Sequence, residues 1–444
     1  MREPNKNKVY ILTLGCPKND VDSEAMAGIL AREGLEATDD PERADLIVVN
    51  TCTFIDEAKE ESIEAILDAG AAKGGRKLLV TGCMAERYGA ELMREMPEID
   101  GVIGVRSLHL VGVEARRLLE GEDGGDTERA LPAPDPDRIG EGRIPLGAKH
   151  TAYLKIAEGC GRTCTFCSIP SFRGTRLESR PAESLEREAR ALAARGAREL
   201  VLVAQETTAW GRDLGEPAGL AGLIDRLAEV REVRWIRVLY GHPETVDDLL
   251  LDRLASGAAC RYLDVPIQHV SDRMLRLMGR GMTGDDLRRK IARIRERAPE
   301  ITLRSEIMVG FPGESEADFF ELRNYIAETA FDRLGVFRFS PQEGTAATRL
   351  PDPVPEETAR ERHQELVTLQ EEILEERGRR LVGARLDVMV DGGDEDGLWA
   401  RSEADAPDID GAVLIPGESA PAGTFLEVEI TEAGGALLVA RRRR

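Results

Sequence analysis

Three times in its first 83 residues this chain runs a short apolar stretch into a cysteine and then into a helical pattern. Residues 8–15 lead to Cys16, residues 44–50 to Cys52 and residues 77–82 to Cys83. The helices expected after the first two begin near Asp20 and span about Asp56 to Ala72. Apolar runs that alternate with helices belong to a parallel sheet covered on both faces. Ligands of such sheets bind beyond the carboxyl ends of the strands. All three cysteines fall at those ends, so thiols far apart in sequence are placed to meet in space. The competing reading is three independent small residues at helix entries. Residues 1–120 are expected to form a flavodoxin-like α/β domain.

A second set of thiols is contiguous. Cys160, Cys164 and Cys167 are spaced C-x3-C-x2-C, within eight residues. An iron–sulfur cube usually takes four thiolates, so three local ones would leave one iron open. Zinc competes, but structural zinc sites close with four ligands, and no further Cys or His lies nearby. The spacing alone points to a three-ligand metal site and no further; the competing reading is three unrelated buried thiols.

Residues 121–149 are rich in Gly, Pro, Asp and Glu and read as an interdomain linker. From residue 151 a new alternation begins, with strands expected at 151–157, 198–203, 233–239, 261–267, 301–309 and 332–339. Amphipathic helices such as 182–195, 285–297 and 316–329 separate them. Six such units predict a partial (β/α)6 barrel over residues 150–377, with functional groups at the carboxyl ends of its strands. Polar groups do follow those ends: Glu158, Gln205, Glu206, His242, Gln268, His269, Glu314 and Gln342. Gly310 and Gly313 either make a simple turn or bring backbone close to a cofactor. The seventh cysteine, Cys260, precedes a strand and reads as a structural thiol. A long charged helix follows over 355–377. Residues 378–444 then change to short alternating segments punctuated by glycine, which predicts a small all-β barrel.

The net charge is −22. Such an acidic chain repels bare nucleic acid and attracts basic partners, although solubility alone would also account for it. No apolar run approaches a membrane span and no signal peptide is evident, so a cytoplasmic location and no membrane partner are expected. There cysteines serve as ligands more often than as disulfides.

With Phe166 before its third cysteine, the Cys160–Cys167 stretch resembles the radical S-adenosylmethionine (SAM) superfamily. The order of the parts resembles the methylthiotransferases: dispersed cysteines on an α/β domain, a radical-SAM core, then a TRAM-type barrel. Within that family the stretches Tyr262–His269, Phe339–Thr345 and Arg401–Gly411 are similar to the RimO type, which modifies an aspartate of a small-subunit ribosomal protein. The transfer-RNA branch usually carries Gln-Ser-Gly where this chain has Gln268-His269. A transfer-RNA adenosine methylthiotransferase is the alternative, and a non-catalytic iron–sulfur adaptor a third reading.

The resemblance implies two [4Fe–4S] clusters and SAM. Cys160, Cys164 and Cys167 would hold the cluster that cleaves SAM, and Cys16, Cys52 and Cys83 an auxiliary cluster that delivers sulfur. Gly310 and Gly313 would contact SAM. An unactivated C–H bond offers no foothold to a general base, which is why a radical is needed. The implied partners are a basic ribosomal protein or the small ribosomal subunit, an external electron donor and a sulfur source; direct nucleic-acid binding is not expected. The C-terminal segment 378–444 has eight Arg against thirteen Asp and Glu. Asp405, Asp408 and Asp410 are therefore expected to face a basic protein substrate.

Overall fold

In a computed structural model, which describes residues 7–121 and 142–443, every strand of the N-terminal sheet is parallel. The strands are β1 (Lys8–Thr13), β2 (Glu36–Ala37), β3 (Leu46–Thr51), β4 (Lys77–Gly82) and β5 (Gly101–Gly104), in the order β2-β1-β3-β4-β5. That is the flavodoxin-type order. β3 is buried along its whole length. Its alternate residues feed opposite faces: Leu46 and Val48 enter one core cluster, Ile47 and Val49 the other. The two short strands β2 and β5 were not evident as apolar runs, because Glu36–Ala37 is exposed and Gly101–Gly104 is half glycine. The first helix starts at Pro17, earlier than Asp20. Proline at the first helical turn has no amide to waste there.

The central sheet is also parallel. Its strands are β6 (Thr151–Lys155), β9 (Glu199–Val203), β10 (Trp235–Val238), β11 (Tyr262–Asp264), β12 (Thr302–Val309) and β13 (Arg333–Arg338), hydrogen-bonded in that order and not closed. The short strands β7 (Ala157–Glu158) and β8 (Glu178–Ser179) pair with each other. Helices Gly284–Arg297 and Glu316–Thr329 both begin with capping boxes, Thr283 with Asp286 and Ser315 with Asp318. The first of them buries Leu287, Ile291 and Ile294, one stripe at helical spacing.

A closed five-stranded barrel follows the helix Glu356–Leu381. It comprises β14 (Arg385–Gly393), β15 (Gly397–Ser402), β16 (Ala412–Pro416), β17 (Phe425–Gly434) and β18 (Leu437–Arg442). Alternate residues such as Val388, Val390, Leu398 and Ala400 fill it.

The chain divides into two compact units, one of Met1–Gly147, Glu158–Arg162 and Ser168–Glu188, the other of Ala148–Ala157, Thr163–Cys167 and Ala189–Arg444. Most of the stretch read as a linker, residues 122–141, lies outside the described residues. Its end is anchored within the first unit: Arg143 is buried and pairs with Glu24 at 3.2 Å and Glu188 at 2.9 Å.

Within the second unit the barrel meets the amino ends of the core strands. Arg401 reaches Thr151 at 3.1 Å and Glu199 at 2.9 Å, and Glu199 accepts from Arg237 at 2.7 Å. Arg237 also donates to the Glu403 carbonyl at 2.8 Å. Tyr262 donates to Asp410 at 2.6 Å, and Arg333 pairs with Asp405 at 2.5 Å. Asp405 and Asp410 are thus spent on groups of the core, half-buried Arg333 and buried Tyr262, which corrects the expectation that they face a substrate. An arginine enclosed by two domains needs a carboxylate, and these acids supply it. Asp408 alone of the three is exposed, and it accepts from the Tyr153 hydroxyl at 3.4 Å.

Candidate metal centres

Strands β1, β3 and β4 are neighbours, with Thr13 opposite Asn50, Asn50 opposite Thr81 and Thr51 opposite Gly82. The loops that carry Cys16 and Cys52 and the helix that begins at Cys83 therefore leave the same, carboxyl, end of the sheet. Gly15 has φ +94°, and a Cβ there would stand 2.6 Å from the Cys52 Cβ and 2.8 Å from its sulfur. Only glycine lets the Cys16 turn close over Cys52. Asn19 laces the turns together: its amide donates to the carbonyls of Leu14 at 2.7 Å and Thr51 at 3.1 Å, and the Cys83 thiol lies 3.9 Å from its Oδ1. Ser62 Oγ accepts from the Cys52 amide and donates back to the Cys52 carbonyl, both at 3.0 Å.

Burial pushes the Cys83 thiol up to about 12 and the Cys52 thiol above its ordinary value. Iron ligation takes the thiolate and so releases these protons. One residue past Cys52, the fully buried Thr53 hydroxyl has no hydrogen-bond partner among the described residues, an orphan that asks for a guest group. Among the described residues no three Cys, His, Asp or Glu side chains already converge on one point as a single ion requires. Cys thiolates are the donors that an iron–sulfur cube takes, and this end of the sheet carries three cysteines.

Sequence reasoning missed Arg173, which lies at the end of the helix Ile169–Arg173, six residues past Cys167. Its side chain is buried and its Nε donates to the Cys83 sulfur at 3.3 Å. Asp22 accepts from Nη1 at 2.8 Å and Asn19 from Nη2 at 2.6 Å. Nothing in the local sequence marks a buried arginine in advance.

The loop cysteines are half-buried. The Cys160 amide donates to the Gly174 carbonyl at 3.1 Å. Further along, the Cys167 amide donates to the Cys164 carbonyl at 3.2 Å, a tight turn that the intervening Thr165 and Phe166 stabilise. Thr165 bonds the backbone of Met278, Leu277 and Ala347 at 2.7–3.0 Å. Phe166 packs edge-on against Phe311, and Phe311 against Phe339. The sulfur of Cys164 receives a hydrogen bond from Arg280 Nη1 at 3.5 Å, while Nη2 is fixed on the Pro266 carbonyl at 2.6 Å. None of the seven cysteines is in a disulfide. Cys260 is buried among Trp235, Tyr262 and Met389, as a structural thiol would be.

Gly310 and Gly313 follow β12 with φ of +75° and +82°. A Cβ on Gly310 would approach the Ala359 Cβ to 2.6 Å, so packing alone requires glycine there. Glu314 closes the turn: it accepts from the Gly310 amide and from Arg362, both at 2.7 Å. His269 is buried, its Nδ1 accepting from the amides of Val270 and Ser271, and its Nε2 stands 3.4 Å from Glu314. Tyr240 and Gln268, just past β10 and β11, hold φ of +59° and +67°. Non-glycine residues adopt that region at a cost and tend to do so where function requires it.

Three family models match this chain: an uncharacterized protein family (UPF0004) over residues 8–104, the radical SAM superfamily over 154–326 and the TRAM domain over 382–442. The chain is 47% identical over 436 residues to the ribosomal protein uS12 methylthiotransferase RimO of Desulforudis audaxviator, covering 96% of this chain and 95% of that one. It belongs to the RimO methylthiotransferase family. The relative of the same name from Trichlorobacter lovleyi is 43% identical, with 98% of each chain covered. Membership makes the chain an enzyme, a radical-SAM methylthiotransferase, with SAM and an iron–sulfur cluster as cofactors. The fold is also similar to the radical SAM methyltransferase TsrM of Kitasatospora setae, with a TM-score of 0.53, 19% identity, and 76% of this chain and 77% of that chain covered. Among the described residues no helix is long and apolar enough to cross a membrane.

Proposed function

We propose that this chain attaches a methylthio group to the β-carbon of an aspartate in ribosomal protein uS12, with two [4Fe–4S] clusters and SAM. The observation that carries the reading is near-complete coverage by relatives that bear that name, at 47% and 43% identity. When bound, the loop cluster with SAM supplies a carbon radical able to take hydrogen from an unactivated C–H bond, and the N-terminal cluster supplies the sulfur.

The chain's own part is to hold, orient and shield these groups. Cys160, Cys164 and Cys167 hold the first cluster, and Cys16, Cys52 and Cys83 the second. Arg280 orients the Cys164 sulfur from a guanidinium fixed on Pro266. The turn Gly310–Glu314 offers backbone groups to SAM, with Glu314 locked by Arg362. Phe166, Phe311 and Phe339, with Met274 and Met278, make an apolar wall beside the loop. Such a wall excludes water, which limits side reactions of a radical. A net charge of −22 suits a basic ribosomal protein and opposes direct nucleic-acid binding. An external reductant and an external sulfur source complete the turnover, in the cytoplasm where the ribosomal protein is made.

The test is reconstituted enzyme with SAM, a reductant and sulfide, offered purified uS12, small ribosomal subunits and bulk transfer RNA in parallel. Mass spectrometry should find the methylthio increment on an aspartate of the protein. An increment on transfer-RNA adenosine, with none on protein, would replace this reading by the transfer-RNA one.

A further inference from the structure

Arg173 is built into the N-terminal site more firmly than an ion pair for stability needs. The side chain is 3% exposed and Asp22, its partner, is fully buried. Glu158 adds a third acceptor at 3.3 Å. Enclosing a guanidinium and a carboxylate is costly in lost solvation, and apolar residues of like volume are often at least as stabilising. Stability is therefore a weak reason for it to be there. A guanidinium is a rigid planar fork, so Asp22 and Asn19 on its two Nη atoms fix where Nε points. Nε points at the Cys83 sulfur, 3.3 Å away. The carboxylates bond Nη1 and the sulfur bonds Nε, which makes the cation the charge in direct contact with that thiol.

Hydrogen bonds to cluster sulfurs and local charge set the reduction potential of an iron–sulfur centre. A donor that is also a cation stabilises the form carrying the extra electron. We propose that Arg173 is a positioning residue for the N-terminal cluster, held by Asp22 and Asn19 so that its hydrogen bond to the Cys83 thiolate raises the reduction potential of that cluster. This rests on Cys16, Cys52 and Cys83 being the cluster's ligands.

The test uses the full chain with Cys160, Cys164 and Cys167 changed to Ala, so that only the N-terminal cluster remains. Into this parent go Arg173→Lys, and Arg173→Met together with Asp22→Asn, which removes the cation without leaving an unpaired buried carboxylate. Iron content and the midpoint potential, followed by electron paramagnetic resonance, are the readouts. Both variants should keep about four irons, the content of one cube. The double variant should become harder to reduce by about tenfold in the reduced-to-oxidised ratio, about 59 mV for a one-electron couple. Lysine keeps the charge but not the fork and should fall between. Midpoints equal to the parent's in both variants would make Arg173 a packing group only. Loss of iron in the double variant, with lysine at the parent's potential, would overturn the proposal too. A parent without iron would overturn the ligand set itself, and the proposal with it.

Discussion

Cys16, Cys52 and Cys83 reach one end of a sheet from three strands, whereas Cys160, Cys164 and Cys167 occupy one loop. The two sites differ in what holds them. At the sheet end two of the thiols are buried, and the turns are pinned by Gly15, Asn19 and Ser62. In the loop all three thiols are half-buried, and the backbone is pinned from outside by Leu277, Met278 and Ala347. Yet each site ends with an arginine donating to one cysteine sulfur, Arg173 to Cys83 and Arg280 to Cys164. A contiguous motif can rely on short sequence separation, while a dispersed one depends on the rigidity of the sheet that gathers it. The dispersed site should therefore be the more sensitive to changes in fold.

The largest test of this contrast is removal of each cysteine set. Full reconstitution should load about eight irons, four in each cube. Changing Cys160, Cys164 and Cys167 to Ala should leave about four and abolish SAM cleavage. Changing Cys16, Cys52 and Cys83 should also leave about four but retain SAM cleavage and lose only sulfur transfer. Equal loss of SAM cleavage in both would erase the division of labour.

Gly15→Ala should come next in size, because it changes no ligand. A methyl group at φ +94° and 2.8 Å from the Cys52 sulfur cannot be absorbed without moving the turn. The expected result is loss of the N-terminal cluster with SAM cleavage intact; eight irons in this variant would show that the turn yields easily.

Acid should separate both sites from the seam between core and barrel. Burial alone would raise the Glu199 carboxyl, but Arg237 and Arg401 together hold it below its ordinary 4.5. A lowered carboxylate gives its stabilisation in full above the unfolded value and loses it as pH falls through the folded one. Stability to denaturant should therefore be flat above about pH 4.5 on this account and decline below it. At neutral pH, Arg237→Met should cost roughly 3–5 kcal/mol, the penalty for leaving a buried carboxylate underpaired. No acid-linked decline in the wild type, or no loss in the variant, would mean that the Glu199 ion pairs do not hold the seam. The smallest effect belongs to Cys260→Ala, which should cost about 1 kcal/mol and change neither iron content nor SAM cleavage.

What the sequence determined is the part of the molecule written in short-range pattern. Apolar runs and helical stripes placed the central strands and the parallel order of parts, since burial on both faces of a sheet leaves a continuous signal. The loop cysteines were legible for the same reason, their spacing being local. The strand-end cysteines were legible through the rule that parallel sheets work at their carboxyl ends. The short strands β2 and β5 were not, having too little apolar side chain to register.

Tertiary structure alone decided the charged partners. Asp405 and Asp410 read as surface acids from composition, and the fold turned them inward onto Arg333 and Tyr262. No local pattern marked Arg173, and the fold buried it on Cys83. Periodicity reports which residues avoid water, but a buried charge follows no periodicity. Its place is fixed by a partner distant in sequence, 90 residues away for Cys83 and 151 for Asp22, and only the folded chain brings such partners together.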